Sequence, residues 1–322
     1  MPIKEKFAII LVTFMRQELL EILLNSIKEQ TVHPEFLVVV DNENSNDTSL
    51  LVTSFKEQLS SSQIIYVPML ENTGGAGGFS KGVEVAYEKG AEWIWIMDDD
   101  VRIFPDAVER LIPWLEKSLE NGNRALQVCR KNYDHSEFYW QYDFKNQLGI
   151  PNPIAPAGFS KGESYKKINT ICFEGGLIHR SLVEEIGIPD YRFFIYWDDT
   201  IYGYLASKVT QLILINETVM ERTRELKNMK IGKIRKLNST SDMARFYIMR
   251  NRGYMAQYLK IHGDYQPIIF AIGTFLTLIK EVIRLKFSDN FSLSLKELFR
   301  GMSEAKKLRE DKDWQPMPKL KK

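Results

Sequence analysis

"WIWIMDDDV", residues 93–101, runs five apolar side chains straight into Asp98, Asp99 and Asp100. A short unbroken apolar run of this kind reads as a strand buried on both faces, and such strands belong to parallel sheets flanked by helices. Adjacent carboxylates repel one another, so three at a strand end are stable mainly when a cation neutralises them. A divalent metal bridging a diphosphate would do that. A solvated acidic turn before the next helix is the plainer alternative.

On the amino-terminal side lies "NTGGAGGFSKG" (72–82), with Gly74, Gly75, Gly77 and Gly78 ahead of a helix expected from about Phe79 to Lys89. Glycine loses more backbone freedom on folding than any other residue. A bare loop here would let the chain pass close to a sugar nucleotide, with N–H groups at the helix start facing its negative charge; a tight turn is the alternative. The spacing matches neither a P-loop nor the dinucleotide fingerprint. Further back, "FAIILVT" (7–13) and "FLVVVD" (36–41) flank a stretch, Gln17 to Gln30, with Leu and Ile at helical spacing, and a second helix is expected over 49–59 before "IIYVP" (64–68). The alternation predicts a doubly wound α/β unit whose ligand sits at the carboxyl ends of the strands. Thr13 and Arg16 at the first strand end and Asp41 at the second are placed to contact a base and ribose, though each also suits a turn or cap.

On the carboxy-terminal side, residues 131–167 hold scattered aromatics, Pro151, Pro153 and Pro156 without a sustained period, and read as a loop-rich insertion. "TICFEGG" (170–176) is expected to be a strand ending in a glycine pair, and "FFIYWDD" (193–199) a strand ending in Asp198 and Asp199. A carboxylate beside an aromatic in a partly dry site suits a general base for a sugar hydroxyl. For Asp199 a helix amino-terminus is the alternative. Beyond residue 220 the pattern turns helical, over 239–262, 267–287 and 293–309.

The whole chain, 322 residues with 44% hydrophobic content, is long enough for one large domain and an appendage. Cys129 and Cys172 fit neither a metal-ligand spacing nor a disulfide framework, which suits a reducing, cytoplasmic setting. The apolar start reads as a first strand, not a signal peptide. His33, His135, His179 and His262 lie in no triad or zinc spacing; only His179, near the glycine pair, is placed to touch an acceptor.

A net charge of +1 conceals an asymmetry: residues 1–220 carry 20 Lys and Arg against 31 Asp and Glu, so the remainder is as basic as this part is acidic. The acidic body suits a metal cation, and the basic one suits phosphates or an anionic membrane. In "PIIFAIGTFLTLIKEVIRLKF" (267–287) the apolar run before Lys280 is 13 residues, short of the ~20 needed to span a bilayer. Its latter half, with Lys280, Arg284 and Lys286, fits a helix lying in the interface, or one packed on the catalytic body or on a second subunit of a homodimer. Nucleic acid is disfavoured, since no recognised motif accompanies the basic helices.

Together, "LVTFMR", "VVVDN", "ENTGGAGGFSKG", "WIWIMDDDV", "FEGGLIHR" and "FFIYWDD" resemble family 2 glycosyltransferases of the GT-A fold, a Rossmann-like α/β architecture, and most closely the bacterial galactofuranosyltransferase-like branch. The likeness covers about residues 5–220, leaving 221–322 as a basic helical region for membrane-surface association or oligomerisation. It implies an inverting transferase in which manganese or magnesium, held by Asp98 and Asp100, activates a nucleoside-diphosphate sugar while Asp198, with Asp199 beside it, deprotonates the acceptor hydroxyl. By the same likeness Thr13, Arg16, Asp41, Asn72, Gly75, Asp98 and Asp99 face the donor. Glu174, Gly175, Gly176 and Trp197 would face a glycan or lipid-linked glycan acceptor. The branch carries a Glu where this chain has Ile201, and a metal-binding His where "LILINETVMERTRE" offers Glu217 and Glu221; Glu221 is the expected substitute as an oxygen ligand. Rhamnosyl, glucosyl and galactopyranosyl donors stand beside galactofuranosyl. A nucleotidyltransferase would want glycines after the first strand, which "VTFMRQELL" lacks, and a non-catalytic assembly protein that keeps the fold is the remaining alternative.

Overall fold

The computed structural model describes residues 6–138, 143–152, 158–225, 228–231, 235–238, 241–285 and 290–320. The chain begins with β1 (Phe7–Thr13), α1 (Gln17–Lys28), β2 (Phe36–Asp41), α2 (Asn46–Gln58), β3 (Gln63–Pro68), α3 (Gly74–Glu88) and β4 (Trp93–Asp98). There follow β5 (Val101–Ile103), α4 (Ala107–Glu120), β6 (Ala125–Lys131), β7 (Glu137–Phe138), β8 (Asp143–Lys145), β9 (Ile150–Asn152), β10 (Tyr165–Ile168), β11 (Gly176–His179), α5 (Arg180–Ile186), α6 (Asp198–Ser207) and β12 (Leu212–Arg222). A hairpin, β13 (Asn228–Ile231) with β14 (Arg235–Asn238), precedes three helices, α7 (Asp242–Ile261), α8 (Pro267–Leu285) and α9 (Phe291–Glu310).

The central sheet runs β10-β12-β6-β11-β4-β1-β2-β3, with β5 on β12 and β7 on β6. β1 to β4 are parallel neighbours, and β11 lies antiparallel between β4 and β6, so β6 and β12 again run with β1. The expected doubly wound architecture is therefore present, and its sequence logic is direct. β1, β2 and the apolar part of β4 are buried at every position, and alternate side chains feed two separate cores on the two faces. Residue 220, where the sequence reading divides the chain, lies inside β12.

Three expectations are corrected. Residues 170–175 are not a strand; the strand starts at Gly176 and continues to His179. Residues 193–199 are not a strand either: a 3-10 turn, Tyr191–Phe193, gives way to a sharply turned segment and then α6. The glycine stretch is not a loop before a helix but the first turns of α3. A Cβ on Gly78 would lie 2.4 Å from Val12 Cγ1, so this glycine lets α3 press onto β1. Gly74, at φ +69°, has the Phe194 carbonyl oxygen only 2.1 Å from where a Cβ would be; only glycine fits both that conformation and that space. The insertion at 131–167 carries the short strands β7 to β10, with Pro151 inside β9. Pro153, Pro156, Ser239, Lys286, Phe287 and the last two lysines lie outside the described residues.

The carboxy-terminal helices are seated on the catalytic body by a buried arginine. Arg252 donates to the carbonyls of Leu148 and Gly149, both at 2.8 Å, and to Thr274 Oγ1 at 2.9 Å. Burial pushes its guanidinium down to about 9, so the charge persists at neutral pH and its fixed fork ties α7, α8 and the 146–149 turn together.

Candidate active site

Parallel pairing brings the strand ends to one edge, with Thr13 in register with Asp41 and Val12 with Asp98. The three aspartates then separate in role. Asp99, 2% exposed, is held: the Thr13 hydroxyl donates to it at 2.8 Å and Arg16 at 3.0 Å. Among the described residues, the carboxylates of Asp98 and Asp100 accept no hydrogen bond and join no ion pair. Burial first, and then Asp100, Glu174 and Asp99, raise Asp98 well above the ordinary carboxylate range. Thr13 and Arg16 thus act on Asp99, and through it on the strand end.

Glu174 sits beside this edge and is fully committed. It accepts from Arg222 Nη2 at 2.6 Å and pairs with Arg130 Nη1 at 2.9 Å, all three side chains being nearly buried. Desolvation lowers Arg130, with Glu174 opposing. Glu174 is therefore the hub of a buried ion triad before it is anything else. Gly175, at φ +103°, donates to the Ile96 carbonyl at 2.9 Å, and Gly176 pairs with Ile96 across β11 and β4. Arg130 did not stand out in the sequence, and Arg222 did so only as a neighbour of Glu221, because each is one basic residue on a strand far from Glu174.

The segment before α6 supplies the second acid pair. Phe194, Tyr196 and Trp197 all have positive φ, at 64°, 67° and 71°, a conformation costly for aromatic residues and sustained only when the surroundings over-determine it. Here they do. The Phe194 carbonyl accepts from Ala76 at the start of α3, and the Phe194 ring stacks on Tyr247 of α7 at 4.6 Å. Trp197 donates its indole N–H to the Ile248 carbonyl at 3.0 Å, so its polar tip faces α7.

The turn delivers Asp198 and Asp199 to the first turn of α6. Asp198 is raised well above its ordinary value by burial and by Asp199, with the backbone N–H groups of both residues opposing. Burial pushes Asp199 up to about 6, against hydrogen bonds from Thr200 and from the Cys172 thiol, and Glu174 adds to the rise. Glu174 thus raises both Asp98 and Asp199, so it lies within electrostatic reach of the end of β4 and of the start of α6.

At the end of β2, Asp41 is fully buried and shapes the 41–45 turn. It accepts from the backbone of Glu43 and Ser45 at 2.9 and 3.1 Å and from the Tyr66 hydroxyl at 2.7 Å. Asn72 accepts from Gly74 N at 2.9 Å, opening α3. Among the early glycines, Gly75 has room: its Cβ would meet only the Phe79 ring, at 3.6 Å. Glu221, expected as a metal ligand, has its two carboxylate oxygens on Arg102 and on His135 Nδ1, the latter at 3.0 Å, and is lowered despite burial. Among the described residues, no group of three or more His, Cys, Asp or Glu is arranged to hold a metal ion. The donor set that fits a hard divalent cation is the pair of open carboxylates, Asp98 and Asp100, with further positions left to diphosphate oxygens or water.

A family model described as glycosyl transferase family 2 matches residues 8–187. Galactofuranosyltransferase GlfT1 of Mycolicibacterium smegmatis is 28% identical over 259 residues, covering 76% of this chain and 81% of that one. The dTDP-rhamnosyl transferase RfbF of Shigella flexneri is 25% identical over 255 residues, 79% of this chain and 78% of its own. Among solved structures, Staphylococcus aureus TarS 1-349 in complex with UDP superposes with a TM-score of 0.51 at 14% identity, over 95% of this chain and 90% of that one. The mannosyltransferase PcManGT from Pyrobaculum calidifontis, in complex with GDP-Man and Mn2+, gives 0.52 at 15% identity over 96% and 88%. These structures share the fold. With the family model spanning more than half its length, the chain belongs to glycosyl transferase family 2 and is a glycosyltransferase.

Proposed function

We propose that the protein moves a sugar, galactofuranose by preference, from a uridine-diphosphate donor to a hydroxyl of a lipid-linked or surface-polysaccharide glycan, with inversion at the anomeric carbon. The observation that carries this reading is two open carboxylates at the end of β4 and a buried acid pair at the start of α6, where Asp199, next to Asp198, is raised by the same Glu174 that raises Asp98. Asp98 and Asp100 would hold a divalent cation, manganese or magnesium, which when bound neutralises charge on the diphosphate leaving group. Asp198 takes the proton of the acceptor hydroxyl as that oxygen bonds to the anomeric carbon. The bond from that carbon to the diphosphate oxygen breaks, and the nucleoside diphosphate leaves with its electron pair. Burial strengthens Asp198 as a base, and the amino-terminus of α6 keeps it ionisable.

Arg16, through Asp99, holds the strand end in place, and the 41–45 turn with Asn72 and Gly75 borders the nucleotide. Trp197, Gly175 and Gly176 border the acceptor, with Glu174 holding that wall through its arginines. The curated rhamnosyl relative makes a dTDP-linked donor the second reading. The test is turnover of purified protein with UDP-galactofuranose, UDP-glucose, UDP-galactose and dTDP-rhamnose, each with manganese, with magnesium and with chelator. Proton NMR of the product reads the anomeric configuration. Metal-requiring turnover of UDP-galactofuranose with inversion supports the proposal, and binding without turnover of any donor overturns it in favour of a non-catalytic role.

A further inference from the structure

α8 turns more apolar surface outward than inward. Its buried positions are Phe270, Gly273, Thr277, Glu281, Arg284 and Leu285, with Thr274 half-buried against Arg252. Its large exposed hydrophobics are Ile268, Ile272, Phe275, Leu276, Ile279, Val282 and Ile283, from 38% to 78% accessible, with Lys280 exposed among them. Their spacing of three and four residues makes one continuous stripe down the helix. Water-facing helices of stable monomers carry the opposite pattern, and an apolar face of this extent marks an interaction surface.

Contacts to α7 fix the orientation: Arg252 donates to Thr274 Oγ1 at 2.9 Å and to Thr277 Oγ1 at 3.3 Å. Further along, Arg284 pairs with Glu281 at 2.6 Å in the interior. The Leu148 carbonyl sits 1.8 Å from where a Cβ on Gly273 would be, so α8 lies flush on the body there. A rotation that hid the stripe would expose this pair and strand Arg252.

We propose that this face docks on an anionic bilayer surface, with α8 lying flat in the headgroup region. No helix among the described residues is long and apolar enough to cross a membrane, so the stripe is not part of a span. Two observations favour a membrane surface over a second copy. The stripe continues past α8: Phe291 and Leu293 at the start of α9 are also exposed. Leu293, Lys296, Arg300 and Lys307 then lie exposed on one side of α9, although Arg300 and Lys307 also pair with Glu297 and Glu304. Residues 221–322 carry 23 Lys and Arg against 11 Asp and Glu. A two-fold contact would set that charge against itself, whereas an anionic leaflet attracts it.

The experiment is co-sedimentation of the full chain with phosphatidylcholine vesicles, with and without phosphatidylglycerol, at low and high salt. Analytical ultracentrifugation of the same sample runs in parallel. The variant is Ile272→Ser with Phe275→Ser, at exposed positions remote from the aspartates, and its unfolding midpoint is measured first. The expected result is binding to phosphatidylglycerol vesicles, weakened by salt and by at least about tenfold in the variant, with turnover on a soluble acceptor unchanged. A second arm, Lys296→Glu with Lys307→Glu, separates attraction by charge from burial of the stripe and is expected to weaken binding on its own. Failure of the wild type to sediment with anionic vesicles overturns the proposal. So does a dimer that the serine variant dissociates while vesicle binding is absent, which would assign the face to a second copy. Turnover is read separately, so loss of docking and loss of catalysis are distinguishable.

Discussion

The side-chain amide of Asn251, in the middle of α7, lies 2.9 Å from the Tyr196 carbonyl, and the same nitrogen reaches the carbonyls of Phe193 and Ile195 at 2.9 and 2.8 Å. Asn251 is fully buried, and Arg250 beside it also donates to the Phe193 carbonyl at 2.9 Å. One amide therefore collects the carbonyls of the turn whose three positive-φ aromatics place Asp198. Without that donor, the turn loses what offsets its strain.

Asn251→Ala is accordingly expected to cost about 1–3 kcal/mol of stability, since buried carbonyls are left without donors. It should also lower kcat by about 10- to 100-fold through misplacement of Asp198, while nucleotide affinity, set at the ends of β1 and β2, changes little. Denaturant unfolding and steady-state kinetics measure the two effects. A variant that loses stability but keeps full kcat would show that the turn is held by Phe194 and Trp197 alone.

Asp198→Asn is expected to remove transfer and to raise stability at neutral pH. The sign follows from the shifts. Asp198 and Asp199 are acids raised above their unfolded values, Asp199 to about 6. Their protonated forms favour the fold, so this stability is fully present below the unfolded carboxylate range and is lost as pH rises through about 6 and beyond. Replacing the carboxylate with a neutral amide should therefore stabilise the protein at pH 7 by on the order of 1–3 kcal/mol. Thermal unfolding of both forms from pH 4 to 8 tests this, and a variant that is less stable at pH 7 sinks it.

The same pair governs the pH profile of transfer. A general base must be ionised, so kcat/KM should rise with pH through an apparent value near or above 6 that belongs to the coupled acids. In Asp199→Asn that limb should move to lower pH, because one of the two like charges is gone. A limb that stays in place would assign it to another group.

Asp98 and Asp100 differ from Asp99 in having open carboxylates, and so in their expected phenotypes. Asp100→Ala should abolish the manganese-dependent part of the thermal stabilisation by nucleotide. Asp99→Ala should instead lower the stability of the metal-free protein, because it removes the acceptor of the bonds from Thr13 and Arg16. Thermal shift with UDP, with and without manganese, separates the two. Equal losses of metal response would mean that all three aspartates act together.

Much of this site was legible in the sequence because it is local. The apolar runs ending at Thr13, Asp41 and Asp98 specify strands, and parallel pairing brings such ends to one edge whatever follows. The 193–199 turn was not legible. Its aromatics read as a strand by propensity, and the decisive partner, Asn251, comes from a helix more than fifty residues away. The ion triad around Glu174 was hidden for a similar reason: Arg130 and Arg222 reach it only because β6 and β12 pair.

The glycines provide the last prediction, because reading them as a ligand loop and finding them as a packing face imply different mutants. Gly78→Ala puts a methyl 2.4 Å from Val12 Cγ1, which must push α3 off β1. A cost of about 1–3 kcal/mol is expected, as for overpacked cores. Gly75→Ala meets only the Phe79 ring at 3.6 Å and should leave stability unchanged or slightly improved, since alanine favours the helix by about 1 kcal/mol. If the donor passes close to this first turn, Gly75→Ala will nonetheless weaken nucleotide-sugar binding, and calorimetric titration with UDP-sugar in the presence of manganese reads that directly. Unchanged affinity in Gly75→Ala would leave the whole glycine run explained by packing, with the donor held elsewhere along the strand ends.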